Sequence, residues 1–463
     1  MIKIYNTYSR SLEDFNPIEE GKVRMYVCGP TVYNYIHVGN ARAVVAFDVV
    51  RRYLERFGNI DASGKRFGYE VDYVSNFTDV DDKIINTAQK EGIEPIELAQ
   101  RYIDAFYEDT DVLKVKHATH APRATEYIYQ MIDFIQDLID KDFAYVSEGD
   151  VYFRVSKSQN YAKLANKKLD ELLEGASGRI DTDLESKRKE SPVDFALWKA
   201  TKEGEIFWQA PWGKGRPGWH IECSVMSGSL LGETLDIHGG GQDLEFPHHT
   251  NEIAQSEAHN NGTKFVNIWM HNGFVNIDGE KMSKSMNNFT TVHEMLQAGL
   301  DPQVLRFFLA TTHYRRPVDF NNEALERAEN NLKKIENAYR NLDVLANDDG
   351  SLTSFEIAFT TAMDNDFNIA DGLTVFYDFI SWVNKGNGGS DVKRFFDDIL
   401  KIIGLEFKQD EEILDSEIEF LIEERNLARA KKDYARSDEI RDSLKAQGIV
   451  LEDTSQGMRW HRE

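Results

Sequence analysis

Cys28 and Cys223 are the only thiols in a chain of 463 residues. Two are too few for a disulfide framework to organise so long a sequence. Their chemistry becomes specific beside Phe246-Pro247-His248-His249-Thr250-Asn251-Glu252. Pro247 suits the first turn of a helix, and a helix starting there sets His248 and Glu252 at i and i+4, close enough to share an ion. Thiolate, imidazole and carboxylate are ordinary zinc ligands, at about 2.0–2.3 Å. A plainer reading exists: free cysteines are among the most buried residues, and a histidine near a glutamate is commonly a hydrogen-bonded pair. No CxxC pair closes a site, so spacing alone leaves both readings open. The surroundings favour the metal. Cys28 follows a strand, Cys223 lies in Arg216-Pro217-Gly218-Trp219-His220-Ile221-Glu222-Cys223-Ser224, and the His/Glu pair follows His238-Gly239-Gly240-Gly241-Gln242-Asp243-Leu244.

Two further segments suit phosphate chemistry. His37-Val38-Gly39-Asn40 stands at the start of an apolar-periodic stretch, where Gly39 permits close backbone approach and a helix N-terminus offers amides and positive potential. Lys281-Met282-Ser283-Lys284-Ser285 sets two lysines in a small-residue segment, able to close over a triphosphate and offset charge on leaving pyrophosphate. Alone, the first is a capped helix start and the second a solvated basic loop; their co-occurrence in this order is far more specific.

The elements that must position these residues have an α/β rhythm. Lys22–Val27 (KVRMYV) reads as a strand running into the Cys28-Gly29-Pro30-Thr31 turn, and a helix is expected from near Asn40 through Ala43, Val44, Ala46, Phe47 and Val50. A second strand is expected at 69–74, and helices at 93–113 and 124–141, the latter with Ile128, Met131, Ile132, Ile135, Leu138 and Ile139 on one face. Strand, loop, helix, strand is the order of a doubly wound parallel sheet, whose ligands sit at the carboxyl ends of the strands. Residues 163–189 are charged and read as an excursion from that core, and motif-dense sequence returns at 210–288. From Pro302 the pattern is helical, with a Gly/Ser-rich break at 385–390 and an acidic stretch at 409–424. The bulk composition, 41% hydrophobic and 11% aromatic, describes a globular chain. With no apolar leader or spanning run, a cytoplasmic protein with no membrane association is expected. A net charge of −25 argues against non-specific coating of nucleic acid, though not against a specific RNA partner met by a local patch.

The two phosphate motifs together resemble the signature pair of class I aminoacyl-tRNA synthetases. The second is matched at all five positions, whereas in the first Val38 is a conservative change and Asn40 replaces a histidine. Tyr26-Val27-Cys28-Gly29-Pro30-Thr31-Val32-Tyr33, Asn76-Phe77-Thr78-Asp79-Val80-Asp81-Asp82-Lys83, Arg216–Ser224 and the 238–252 run are similar to blocks of the cysteine-specific family of that class. Thr250 departs from its usual glutamate, at a non-ligand position. The resemblance spans nearly the whole chain.

It implies a Rossmann-like catalytic domain in two halves, 1–115 and 211–315, around a connective insertion at 116–210. An all-helical bundle at 316–405 and a small anticodon-recognition domain at 406–463 follow. It implies one zinc ion per chain on Cys28, Cys223, His248 and Glu252, and ATP, with Mg²⁺, beside Thr31, His37, Asn40, Gly240, Asp243 and Lys284. Gly29, Thr78, Trp219 and His238 would line the cysteine pocket, and His37, Asn40, Lys281 and Lys284 would serve catalysis. The implied reaction forms cysteinyl-adenylate from L-cysteine and ATP, then esterifies tRNA(Cys), in a monomer without an editing domain. A zinc bond separates sulfur from oxygen more sharply than an apolar pocket can, because a thiol, at a pKa of about 8.5, ionises far more readily than an alcohol.

At the far end Arg425, Arg429, Lys432 and Arg436 are spaced as a basic helical stripe, split if the chain turns near Asp433. With Arg459 and Trp460 they form the expected tRNA-contact set, the indole stacking on unpaired bases or closing a small core. Three alternatives remain: a cysteine ligase acting on a small amine, whose relatives lack this end; a zinc hydrolase, which leaves the lysine motif unexplained and lacks HExxH; and a non-catalytic RNA-binding module, which leaves four site blocks without purpose.

Overall fold

Four parallel strands carry the residues singled out above. Across the sheet they run Val266–Asn272, Leu235–Gly241, Lys22–Val27 and Glu70–Ser75, every neighbouring pair parallel. Both inner strands are buried toward their carboxyl ends, as a sheet covered on both faces requires. The chain leaves Lys22–Val27 for the strand on one side, and the third strand in sequence lies on the other. Strand order therefore reverses beside Lys22–Val27, and a crevice opens at the carboxyl ends there. Cys28 is the first residue past that strand end.

This computed structural model describes residues 1–61, 63–168, 188–202, 204–277, 280–281, 290–407, 415–431, 433–446, 449–454 and 457–462, with the backbone alone at 280–281, 415–417, 430, 446, 452–454, 457–459 and 461–462. The long helix expected near Asn40 spans Val38–Phe57 and is capped by His37. The helix expected at 93–113 spans Pro95–Val112, and that at 124–141 begins as a 3-10 turn and continues as Ile128–Asp140. Its apolar face packs on a second sheet, antiparallel, in the order Trp208–Ala210, Gly213–Pro217, Phe195–Ala200, Asp150–Phe153, Ala144–Ser147. Gly213–Pro217, expected in the second catalytic half, pairs with Phe195–Ala200; its glycine-rich sequence has no apolar alternation to mark it as a strand. Of the excursion at 163–189, residues 169–187 lie outside the described residues.

The chain divides into two compact units, Met1–Glu406 and Phe407–Glu463. The first includes four longer helices after the sheets, Asn322–Arg340, Leu352–Asp364, Ile369–Val383 and Ser390–Ile403. The second contains helices Asp415–Ala430 and Tyr434–Ala446 and a hairpin of Ile449–Thr454 with Gly457–Arg462. Among the described residues no helix is long and apolar enough to cross a membrane.

A buried ion pair ties the long helix to the helical region of the first unit. Arg306, on Pro302–Ala310, lies 2.6 Å from Asp48 of Val38–Phe57, both side chains almost wholly buried. Arg306 Nε also donates to the Ile403 carbonyl at 2.6 Å. Gly404 ends the helix Ser390–Ile403 at φ +84°, where a Cβ would stand 2.5 Å from the Arg306 guanidinium carbon, so only glycine leaves room. Removing one partner of a buried pair is costly, although Arg52, 2.8 Å from the same Asp48 oxygen, keeps part of the compensation. Arg306→Met should cost about 3 kcal/mol of unfolding free energy, measured by urea titration of full-length protein. A cost below about 1 kcal/mol, the range of exposed pairs, would show that the pair carries no such role.

Candidate metal and nucleotide site

The site is assembled from strand ends pulled into contact. The Gly29 amide donates to Asn76 Oδ1 at 3.0 Å, and a Cβ on Gly29 would stand 1.6 Å from the Asn76 carbonyl oxygen. Only glycine permits that approach. Asn76 follows Glu70–Ser75, so the ends of two neighbouring strands are locked, and Asn76 Oδ1 lies 3.7 Å from the Cys223 thiol that donates to it. Cys223 is the third residue of the Ile221–Leu231 helix and is buried. Its sulfur is 3.5 Å from that of Cys28.

The helix expected from Pro247 begins instead at Thr250, as Thr250–His259. Residues Glu245–His249 form an irregular turn, with Phe246 at φ −145°, ψ 131° and a cis Phe246–Pro247 peptide. His248 Nε2 nevertheless lies 3.1 Å from Glu252 Oε1, and that oxygen is 3.7 Å from the Cys28 sulfur.

Two overlapping donor sets result, Cys28/Cys223/His248/Glu252 and Cys28/His238/His249/Glu252, each with its four ligand atoms within 4.8 Å of one another. Both histidine branches are braced from behind. His248 Nδ1 meets His220 Nδ1 at 3.0 Å, and Trp219 stacks on the His248 ring at 4.4 Å. His249 Nδ1 meets His271 Nε2 at 2.7 Å, and His271 Nδ1 meets Thr7 Oγ1 at 2.9 Å. Burial and then neighbouring imidazoles hold His248 and His249 well below the usual histidine range. Burial likewise pushes His220 and His271 down to about 3. These are neutral rings, the form that binds metal. Burial, then Cys223 and Glu252, pushes the Cys28 thiol well above its ordinary value. A divalent cation reverses that preference, so metal uptake must expel thiol protons.

The sets differ in access. Cys28, Cys223 and His248 line a cavity of about 400 Å³ at the strand ends, whereas His238, His249 and Glu252 do not. Glu252 is 0% exposed, its Oε2 held 2.9 Å from His238 Nε2. His238, expected to line the cysteine pocket, instead stands behind Glu252 and stacks on Trp269. Gly240, expected beside adenosine, packs on the His249 ring and Leu244. Gly29, Thr78, Trp219 and Asp243 do line the cavity, Trp219 at 40% exposed. Thr78 Oγ1 donates to Glu222 Oε2 at 2.6 Å, and burial pushes the Glu222 carboxyl well above its usual range.

The same cavity reaches Thr31, His37, Gly39 and Asn40. Thr31 bridges Thr78 through the backbone. The Asn40 amide donates to His37 Nδ1 at 3.2 Å, and the His37 amide to Asn40 Oδ1 at 3.3 Å. Asn40, where the signature has histidine, thus completes a reciprocal cap. Lys281 lies in the strand Glu280–Lys281, paired with Val275–Ile277; Lys284 lies outside the described residues.

The second unit does not present the expected basic stripe. Its two helices divide it, Arg425 is 6% exposed, and Arg436 pairs with Glu424 at 3.0 Å and Glu439 at 2.8 Å. Arg429 is exposed, whereas Lys432 and the Arg459 side chain lie outside the described residues. Trp460 packs on Ile418, Ile440, Leu444 and Ile449, closing a small core. Sequence reasoning assigned no role to Asn76, Glu222, His249 or His271; the first three stood within segments already marked, and His271 did not.

The chain is similar to known proteins over its whole length. Residues 14–330 match the tRNA synthetases class I (C) catalytic domain, 358–406 a DALR domain, and 412–460 the cysteinyl-tRNA ligase anticodon binding domain. The cysteine–tRNA ligase of Lactococcus lactis subsp. cremoris (strain SK11) is 70% identical over 463 residues, and that of Streptococcus pneumoniae serotype 4 is 59% identical over 463, each covering 100% of both chains. In fold, the chain is similar to a Mycobacterium tuberculosis methionyl-tRNA synthetase in complex with methionyl-adenylate, at TM-score 0.56 and 15% identity over 82% of this chain and 88% of that one. It is also similar to a leucyl-tRNA synthetase of Agrobacterium radiobacter K84, at TM-score 0.57 and 11% identity over 84% and 85%. With a class I catalytic domain, an anticodon binding domain and full-length relatives at this identity, the chain belongs to the cysteinyl-tRNA synthetase family.

Proposed function

We propose that this chain activates L-cysteine with ATP and transfers it to the 3′ end of tRNA(Cys), using a zinc site on Cys28, Cys223, His248 and Glu252 to select the substrate. One observation carries the reading: a set of metal-competent sulfur, nitrogen and oxygen donors opens into the same cavity as a capped helix N-terminus. Two sulfurs, an imidazole and a carboxylate within 4.8 Å of one another suit zinc by number and kind. Bound there, zinc supplies a Lewis acid that takes a thiolate far more readily than an alcohol.

The remaining work falls to the chain. Trp219 and Thr78 wall the cavity next to the donors, and Glu222 fixes the Thr78 hydroxyl. Gly29 lets the chain beside Cys28 lie directly against Asn76. His238 acts from behind, holding Glu252. The positive end of the Val38–Phe57 helix, with Gly39 in its first turn, faces anionic phosphate, with Thr31, His37 and Asn40 around it and Asp243 also lining the cavity. Lys281 and Lys284 offset charge on the departing pyrophosphate, and Mg²⁺ accompanies ATP. Catalysis of this kind rests on alignment and charge stabilisation. The unit Phe407–Glu463 is the proposed tRNA-recognition end, with Arg429 and Arg436 the exposed cations of the basic set among the described residues; Trp460 contributes there through the core it closes.

ATP–pyrophosphate exchange by zinc-loaded protein tests the reaction, with cysteine and serine in parallel, followed by charging of total tRNA. Cysteine-dependent exchange and charging, with serine at background, are expected. Absence of cysteine-dependent exchange contradicts the reading, and exchange without charging favours a small-amine ligase. Substitution separates the two donor sets. His248→Gln should purify with about a tenth or less of the zinc, whereas His249→Gln, altered behind the cavity, should keep it with affinity weakened by about 10–100-fold. Metal loss in His249→Gln with retention in His248→Gln would assign the ion to the inner set.

A further inference from the structure

The chain that leaves the lysine motif is pinned to the segment carrying His37. The Val38 amide donates to the Thr290 carbonyl at 3.3 Å and the Val292 amide to the Ile36 carbonyl at 2.9 Å, while His37 and Thr291 form an antiparallel bridge. The next residue is His293, in the short helix Val292–Gln297. Its ring lies flat on Tyr35, with centroids 4.1 Å apart and planes at 15°. Tyr35 in turn meets Tyr102 edge to face at 5.5 Å. The Gln297 amide nitrogen, which can only donate, is 3.2 Å from His293 Nε2. The ring hydrogen therefore sits on Nδ1, 3.6 Å from Asp109 Oδ1. Asp109 and Tyr102 share the helix Pro95–Val112. Asp109 is 2% exposed and its Oδ2 has no hydrogen-bond partner.

A buried carboxylate facing one imidazole, which is itself stacked two residues before His37, has no role in binding cysteine, metal or phosphate as assigned above. We infer that Asp109, His293 and Tyr35 are positioning residues that clamp the return end of the Lys281–Lys284 segment onto the segment carrying His37, and so set the spacing of the two halves of the ATP site. This rests on the reading that His37, Lys281 and Lys284 hold ATP. The clamp joins three stretches far apart in sequence: the start of the long helix, the helix Pro95–Val112 and the exit of the lysine segment. Burial pushes the Asp109 acid up to about 6, with His293 opposing the shift. Removing the imidazole leaves the carboxylate without its partner, and Thr290–Val292 loses the side chain that fixes its direction. Displacement of a positioning element by about 1 Å can cost a factor on the order of 10² in turnover. The cysteine donors stand on other strands and helices, so cysteine affinity is spared.

The test is ATP–pyrophosphate exchange by full-length, zinc-loaded protein, with KM measured separately for ATP and cysteine. His293→Ala and the near-isosteric Asp109→Asn should each raise KM for ATP about tenfold and leave KM for cysteine within about twofold. His293→Arg, which presents an N–H toward Asp109 as the ring hydrogen on Nδ1 does, should bring KM for ATP back to within about threefold of the unaltered protein. General destabilisation lowers the active fraction and moves neither KM, so it does not imitate this split. An unchanged KM for ATP in both variants, equal rises for both substrates, or failure of His293→Arg to restore ATP binding would overturn the clamp. Lys284→Ala separates this from the underlying reading. Exchange lost in Lys284→Ala, with ATP binding intact in His293→Ala and Asp109→Asn, rejects the clamp alone. Full exchange in Lys284→Ala rejects the ATP assignment itself.

Discussion

Gly29 lies so close to the main chain of Asn76 that any side chain there would overlap its carbonyl oxygen. That contact draws together the ends of the strands Lys22–Val27 and Glu70–Ser75, at the point where the order of the parallel sheet reverses. Much of the site depends on it. It sets Cys28 within 3.5 Å of Cys223, places the Asn76 amide oxygen against both the Gly29 amide and the Cys223 thiol, and aligns Thr31 beside Thr78. A bulkier residue at position 29 would separate the two sulfurs and the two threonines together, coupling the sulfur end of the cavity to the end that holds Thr31.

The other half of the donor set is fixed by mutual bracing. Glu252 is fully buried between His238 on one oxygen and His248 on the other. His248 is in turn backed by His220 and covered by Trp219. Neutral imidazoles and protonated thiols are the forms burial favours before a cation arrives, so the site is polar but carries little net charge. Its low exposure makes a bound ion's field strong. At the other end of the cavity, the His37–Asn40 cap satisfies the helix start with its own side chains. Asn40 therefore needs no positive charge to serve there. Its side-chain oxygen accepts the His37 amide while its own amide donates to the His37 ring, so its work there is structural.

Much of this was legible in the sequence, and the failures have definite causes. The strand Lys22–Val27 and the long helix could be read because apolar period and a capping residue are local signals. Cys28 and Cys223 could be singled out because they are the only thiols in the chain, and His248 and Glu252 because they stand four residues apart in a marked segment. His238 and Gly240 were expected in the cavity, yet successive residues of a strand point to opposite faces. Gly239 packs on Phe47 and Gly241 lines the cavity, so His238 and Gly240 necessarily turn the other way, toward Glu252 and His249. Asn76 and His271 act through partners tens to hundreds of residues away, and no local pattern encodes such pairings. Arg425 and Trp460 show the same limit: residues suited to bind RNA are, in a unit this small, also needed to complete its core.

The central claim is that two protein sulfurs hold a zinc ion with room for a third from the substrate. Zinc K-edge X-ray absorption on the metal-loaded protein reads this directly. Without amino acid, two sulfur scatterers at about 2.3 Å with nitrogen and oxygen ligands are expected. Saturating L-cysteine should add a third sulfur, and L-serine should leave the spectrum unchanged. A sulfur count that cysteine does not alter, or a single sulfur in the free protein, would contradict the account.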